Sequence, residues 1–289
     1  MANIYEKYGF NPDKELIEKE LESIKAEVPS NMTKENIAKC LGFIDLTSLH
    51  TSDTEEFIEN FTEKVNGFKA LYPELPLSAS ICVYPNFAKV VKRTLKEKNV
   101  GITTVAGCFP SSQSFLDVKA LEVRHAVEDG ATEIDIVLPH STFVAGDYQA
   151  TANEISILRK EAAKQTLKVI LESGLLGGVE AIANASFLSL ENGADFIKTS
   201  TGKEKPAATP IAAIVMCKCL KAYYEKTGLK KGFKPAGGIS TTEDAILYLS
   251  IVRHILGEEW LTPELFRIGA SSLANNLLTT LAGNTVKYF

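Results

Sequence analysis

Two short stretches carry lysines where a lysine is costly. Asp195-Phe-Ile-Lys-Thr-Ser-Thr-Gly-Lys203 reads as a short buried strand running into a polar turn, and Lys198 ends its apolar run. An ammonium there loses hydration, so the neutral amine forms more readily. A neutral lysine amine can attack a carbonyl and form a Schiff base. A lysine at a strand end can also simply snorkel its charge to water. Gly232-Phe-Lys-Pro-Ala-Gly-Gly-Ile239 repeats the pattern of apolar residue, lysine and glycine turn. If Lys198 and Lys234 end neighbouring strands, their charges repel, and the pKa of one falls.

Three further polar residues interrupt apolar runs. They are Asp45 in 42–46, Asp135 between Ile134 and Ile136, and Lys168 in 167–171. Strand alternation turns Asp135 away from both isoleucines, towards the interior if those face outward. A buried acid needs a partner, and Lys168 on the neighbouring strand is the expected one. Together they could hold a water for proton transfer. Asp45 could order the site, bind a substrate hydroxyl or cap a turn. An anion pocket is also expected. Gly202 and Lys203, Gly237 and Gly238, and Ser271 and Ser272 follow three successive strands, and Thr201 is placed with them. Glycines let backbone N–H groups approach an anion, and serines opening a helix sit at its positive end. The four histidines have no metal-like partners in sequence, so metal-free, cofactor-free chemistry is expected.

These residues need a scaffold that brings strand ends together. From residue 42 onward, apolar strand-like runs alternate with helical patterns. The expected strands are 42–46, 77–83, 102–106, 133–138, 167–171, 196–199, 232–235 and 266–269. The helices between them span 53–71, 87–98, 115–129, 148–164, 179–192 and 210–226, then one from Thr241 or Thr242 and one from Ser271. Ser52 or Asp53 is the expected cap of the first. Such β-then-α units imply a parallel sheet with right-handed crossovers, and at this length a (β/α)8 TIM barrel of the α/β class. An open doubly wound sheet would need a glycine-rich nucleotide turn after an early strand, where Thr47-Ser-Leu-His50 stands instead. Ahead of the barrel, 13–28 reads as a charged helix with a narrow seam of Ile17, Leu21, Ile24 and Val28, stopped by Pro29. Thr33 caps a second helix through Lys39. Residues 1–40 are therefore read as a helical extension packing on the barrel or on another subunit, and 41–289 as the catalytic barrel.

Composition narrows the function classes. The chain has 289 residues, 45% hydrophobic and 23% charged, with a net charge of −5. The acidic balance gives a nucleic-acid partner no electrostatic support. No apolar run is long enough to cross a bilayer, so no membrane role is expected. The five cysteines show no pairing pattern, and the N-terminus shows no targeting signature, so a cytoplasmic protein with reduced thiols is expected.

The two lysine stretches resemble those of the deoxyribose-phosphate aldolases. The similarity extends to Ile44-Asp-Leu-Thr47, Ile81-Cys-Val-Tyr-Pro85, Glu133-Ile-Asp-Ile-Val137, Leu167-Lys-Val-Ile-Leu-Glu172 and Phe266-Arg-Ile-Gly-Ala-Ser-Ser272. The motifs keep the family's order and cover about Leu41 to Leu278. The resemblance implies a class I, metal-free lyase. It would reversibly cleave 2-deoxy-D-ribose 5-phosphate to D-glyceraldehyde 3-phosphate and acetaldehyde in deoxyribonucleoside catabolism. By motif position Lys198 resembles the Schiff-base lysine, Lys234 the neighbour that lowers its pKa, and Asp135 with Lys168 the proton-transfer pair. Gly202, Lys203, Gly237, Gly238, Ser271 and Ser272 resemble the phosphate contacts. A homodimer or homotetramer is expected. Three features depart from the pattern: Ser240 where a basic residue is common, Tyr288 penultimate rather than last, and a longer N-terminal extension. The competing readings are another Schiff-base barrel aldolase and a silent sugar-phosphate-binding barrel.

Overall fold

A computed structural model describes residues 3–289 of the chain. Eight strands are present: β1 Ile44–Thr47, β2 Ser80–Val83, β3 Gly101–Ala106, β4 Glu133–Val137, β5 Thr166–Ile170, β6 Phe196–Lys198, β7 Gly232–Lys234 and β8 Ile268–Ala270. They form one sheet in the order β7-β6-β5-β4-β3-β2-β1-β8. Every pairing is parallel. Bridges between Phe233 and Phe266 and between Ala236 and Gly269 join the last two strands and close the ring. The fold is the expected (β/α)8 barrel.

The helices are α1 Lys14–Asn31, α2 Lys34–Gly42, α3 Glu55–Leu71, α4 Ala88–Thr94, α5 Leu116–Glu128, α6 His140–Val144, α7 Tyr148–Glu161, α8 Val179–Glu191, α9 Pro210–Thr227, α10 Thr242–Leu256 and α11 Leu273–Ala282. Their starts follow capping chemistry. Thr33, Asp147, Thr209 and Thr241 each accept a first-turn N–H, and Thr241 forms a reciprocal capping box with Asp244.

Of the boundaries that differ from the sequence reading, three have a clear tertiary reason. The cap of α3 is Thr54, not Ser52 or Asp53. The Asp53 carboxylate is already taken by the Ser48 hydroxyl at 2.9 Å and the His50 N–H at 3.0 Å. Pro29 lies inside α1 rather than ending it. The turn beyond it is fixed from outside: Asn31 donates to Ser250 Oγ and accepts from Arg253. Helix α4 stops at Thr94, short of Lys98, because Asn66 takes up the Thr94 carbonyl and the Lys96 N–H.

Along each strand, alternate residues divide between two environments. Ile44, Ile81, Ile134, Leu167, Val169 and Ile197 face the helices and join the main apolar core. The intervening positions point into the barrel, and several are charged. The N-terminal extension docks on the barrel's own helices, the expected alternative within one chain. Ile17 and Ile24 of α1 are buried, and α1 packs against α9 and α10. Ahead of it, the Tyr8 ring stacks on Phe187 of α8 with centroids 4.2 Å apart.

Candidate active site

Register brings the lysines together. Asp135 of β4 pairs with Lys168 of β5, and Lys198 of β6 pairs with Lys234 of β7. All four side chains therefore converge inside the barrel. Lys168 Nζ lies 2.9 Å from Asp135 Oδ1 and 2.5 Å from Glu133 Oε2. Asp135 Oδ2 is shared between Lys198 Nζ at 2.9 Å and Lys234 Nζ at 2.7 Å. Lys234 Nζ also sits 2.5 Å from Asp45 Oδ2. Beneath them Arg267 reaches Asp45 Oδ1 at 2.6 Å and both oxygens of Glu133 at 2.9 and 3.0 Å. Gly269 leaves room for this packing, since a side chain there would begin 3.2 Å from Lys234 Cε and 2.7 Å from Ala236 Cβ.

The charges do not balance when every group is ionised. Lys168, Lys198, Lys234 and Arg267 face Asp45, Glu133 and Asp135, one cation in excess. Neutrality inside a low-dielectric barrel is reached when one lysine gives up its proton. Of the three lysines, Lys198 is the one whose pKa is held below its ordinary value. Burial pushes its pKa down, Lys234 pushes it further down, and Asp135 opposes both. Lys168 and Lys234 are also desolvated, but their several carboxylate neighbours win and hold them charged. Burial would raise Asp135, yet three lysines keep it far below the usual carboxylate range.

Lys198 is also the lysine of the trio that reaches open space. It is 3% exposed, whereas Lys168 and Lys234 are 0% exposed. It stands on the wall of a cavity of about 320 Å³ at the carboxyl ends of the strands. Thr201, Gly202, Lys203, Gly237, Gly238, Ser271 and Ser272, all expected at an anion pocket, line this cavity, with Thr47, Leu49, His50 and Ser240. Gly237 has φ +87°, and a Cβ there would meet Gly202 Cα at 2.9 Å and Ala207 Cβ at 2.8 Å. The turns after β6 and β7 thus touch backbone to backbone. Among the described residues, the N–H groups of Gly237, Gly238 and Ile239 donate to no protein acceptor. Glycine turns with free N–H groups, beside a helix start, make a cradle for an anion.

Asp45, expected among the substrate contacts, does not line the cavity. It is 0% exposed and is spent on Lys234, Arg267 and the Ser80 hydroxyl. Tyr288 lies on the outside of the barrel, its hydroxyl donating to the Lys64 carbonyl and its ring packing on Phe68 and Tyr72. Two members of the charged network escaped the sequence reading. Glu133 sits two residues before Asp135 and so shares its face, a signal present in the alternation itself. Arg267 stands alone in its short strand run, with no alternation to mark its face. A third, Glu172, is buried just past β5 and accepts hydrogen bonds from Thr201. Among the described residues, no group of three or more His, Cys, Asp or Glu has an arrangement that could hold a metal ion.

Residues 40–272 match the profile of the DeoC/LacD family aldolases. The chain is 42% identical to a human deoxyribose-phosphate aldolase over 251 residues, 83% of this chain and 79% of the human one. It is 39% identical to that of Agrobacterium fabrum over 252 residues, 86% of this chain and 93% of the other. Among solved structures, the deoxyribose phosphate aldolase of Aeropyrum pernix, described as tetrameric, superposes with a TM-score of 0.67 at 25% identity. That match covers 89% of this chain and 96% of the archaeal one.

Proposed function

The chain belongs to the DeoC/LacD aldolase family, and from that membership we propose that Lys198 is the amine through which it acts on its sugar phosphate. The enzyme is a class I aldolase, a lyase. It reversibly cleaves 2-deoxy-D-ribose 5-phosphate to D-glyceraldehyde 3-phosphate and acetaldehyde, a step of deoxyribonucleoside catabolism. One observation carries the assignment to Lys198. It is the lysine of the buried trio that meets the cavity, and its single carboxylate partner is shared with Lys234.

The neutral amine of Lys198 adds to the aldehyde carbon of the open-chain sugar, and loss of water leaves a protonated imine. A base removes the proton of the hydroxyl on the third carbon. The oxygen's electrons form the new carbonyl as the bond between the second and third carbons breaks, and that bond's pair is drawn into the imine. D-glyceraldehyde 3-phosphate departs, leaving an enamine on Lys198. Protonation of its terminal carbon and addition of water release acetaldehyde and restore the amine.

Asp135 is assigned to the proton transfers, acting through a water and oriented by Lys168. Lys234 holds the Lys198 pKa down, and Asp45 fixes Lys234 rather than touching substrate. The phosphate is assigned to Gly237, Gly238, Ser271 and Ser272 with Thr201, Gly202 and Lys203, where barrels of this type commonly hold phosphate. Residues 41–289 form the catalytic barrel and 1–40 an appendage. Assembly as a homodimer or homotetramer is supported by the tetrameric Aeropyrum relative and is testable by sedimentation. The five free thiols support a reducing, cytoplasmic setting. No helix among the described residues is long and apolar enough to cross a membrane.

The test is borohydride trapping with acetaldehyde or deoxyribose 5-phosphate, followed by digestion and mass mapping. The expected adduct is on Lys198 and disappears in Lys198→Leu. An adduct on Lys234 alone would exchange the two lysine roles, and no adduct in folded, active protein would overturn the Schiff-base reading.

A further inference from the structure

Glu172 has no part in the chemistry above, yet it is held in an unusual state. It is 2% exposed and adopts φ +47°, a left-handed conformation that glutamate rarely takes. Its carboxylate serves one residue. The Thr201 N–H points between its oxygens at 3.3 and 3.2 Å, and the Thr201 hydroxyl donates to Oε2. Direction follows from the chemistry. A carboxylate only accepts, so the threonine's one hydroxyl proton is committed to it, and the oxygen's lone pair is left facing the other way. That lone pair accepts the Lys203 N–H at 3.1 Å. Lys203 Nζ then donates to the Leu49 carbonyl at 2.6 Å, tying the turn after β6 to the loop after β1.

Resting on the aldolase reading, we propose that Glu172 is a positioning residue that sets the phosphate end of the pocket by holding residues 201–203 in their receiving shape. It stands behind the turn, where its charge is taken up by both Thr201 donors. In direct contact with a phosphate dianion it would repel. Because Gly202 lies against Gly237, a turn that slackens at Thr201 also disturbs the neighbouring half of the cradle.

The experiment compares kinetics on deoxyribose 5-phosphate and on unphosphorylated deoxyribose for wild type, Glu172→Ala, Glu172→Gln and Thr201→Val. In Glu172→Ala the kcat/KM for the phosphorylated sugar is expected to fall about 10- to 100-fold, as for lost hydrogen bonds to a charged group. The loss should lie in KM, while kcat/KM for deoxyribose moves by less than about threefold. Acetaldehyde trapping at Lys198 should persist. Glu172→Gln, which keeps an acceptor, should retain most of the discrimination, and Thr201→Val should lose it as Glu172→Ala does. The double variant should be no worse than the poorer single. Equal losses on both sugars, or additive losses in the double variant, would overturn the proposal. If Glu172→Ala does not fold, Glu172→Asp, which shortens the reach to Thr201, takes its place with the same expected split between the two sugars. A wild type that yields no Lys198 adduct would instead sink the aldolase reading beneath it.

Discussion

Lys234→Met is the sharpest probe of how Lys198 is made nucleophilic. Lys198 Nζ and Lys234 Nζ lie 2.9 and 2.7 Å from the same oxygen of Asp135, so they are at most 5.6 Å apart. Two unit charges at that separation repel by about 3 kcal/mol at an effective permittivity of about 20, which is about 2 pKa units. The charge count points the same way. With Lys234 present, the barrel is neutral when Lys198 is uncharged. With methionine there, Lys168, Arg267 and a protonated Lys198 balance the three acids. Protonated Lys198 is then the favoured state, and the amine fraction below both pKa values should fall about 100-fold. The assay is the initial rate of borohydride trapping with acetaldehyde as a function of pH. The acid limb should move up by about two pH units in Lys234→Met, with thermal melting confirming the fold. An acid limb that stays in place, or moves down, would refute the account of Lys198 as the deprotonated member of an over-charged set.

Other perturbations separate the cradle, the scaffold and the charge network. Gly237→Ala forces a Cβ against Ala207 and Gly202 at a positive φ, a strain of about 1–3 kcal/mol; KM for the phosphorylated substrate should rise with little change in trapping at Lys198. Ile24→Ala empties a fully buried site between the extension and the barrel; it should cost about 2–5 kcal/mol, read as a lower Tm, with kcat unchanged. Asp45, Glu133 and Asp135 would be raised by burial, but the lysines and Arg267 hold all three below their ordinary values. Their stabilisation is therefore complete above the unfolded carboxylate range, about pH 4, and is lost as pH falls through the folded values. A urea midpoint that stays constant or rises between pH 6 and pH 3 would contradict this.

Much of the site was legible because strand periodicity is rigid. Asp135 between two isoleucines could face only one way once the isoleucines were core, and the same rule extends to Glu133. Lysines ending apolar runs announced themselves by type. Arg267 shows where that logic runs short: a single polar residue in a four-residue run has no alternation to read. The cap of α3 could not be chosen from Ser52, Asp53 and Thr54, all capping types, because contacts from Ser48 and His50 decided it. Local sterics make Pro29 a stop, yet partners from α10 hold the next turn in place. The link from Glu172 to Thr201 joins two motifs 29 residues apart, and only the fold reveals it.

The docked extension has a consequence for how the protein is made. The Ile4 N–H is received by Asn184, 180 positions later, and Lys226 donates to the Lys7 carbonyl across 219 positions. Residues 4–24 are therefore translated long before the helices that cover them exist. Until α8, α9 and α10 emerge, the apolar seam of α1 has nothing in its own chain to close on. The same contacts raise the mean sequence separation of the native structure, which slows the final step of folding. During that interval the seam is exposed surface of the kind that chaperones hold and aggregates nucleate on.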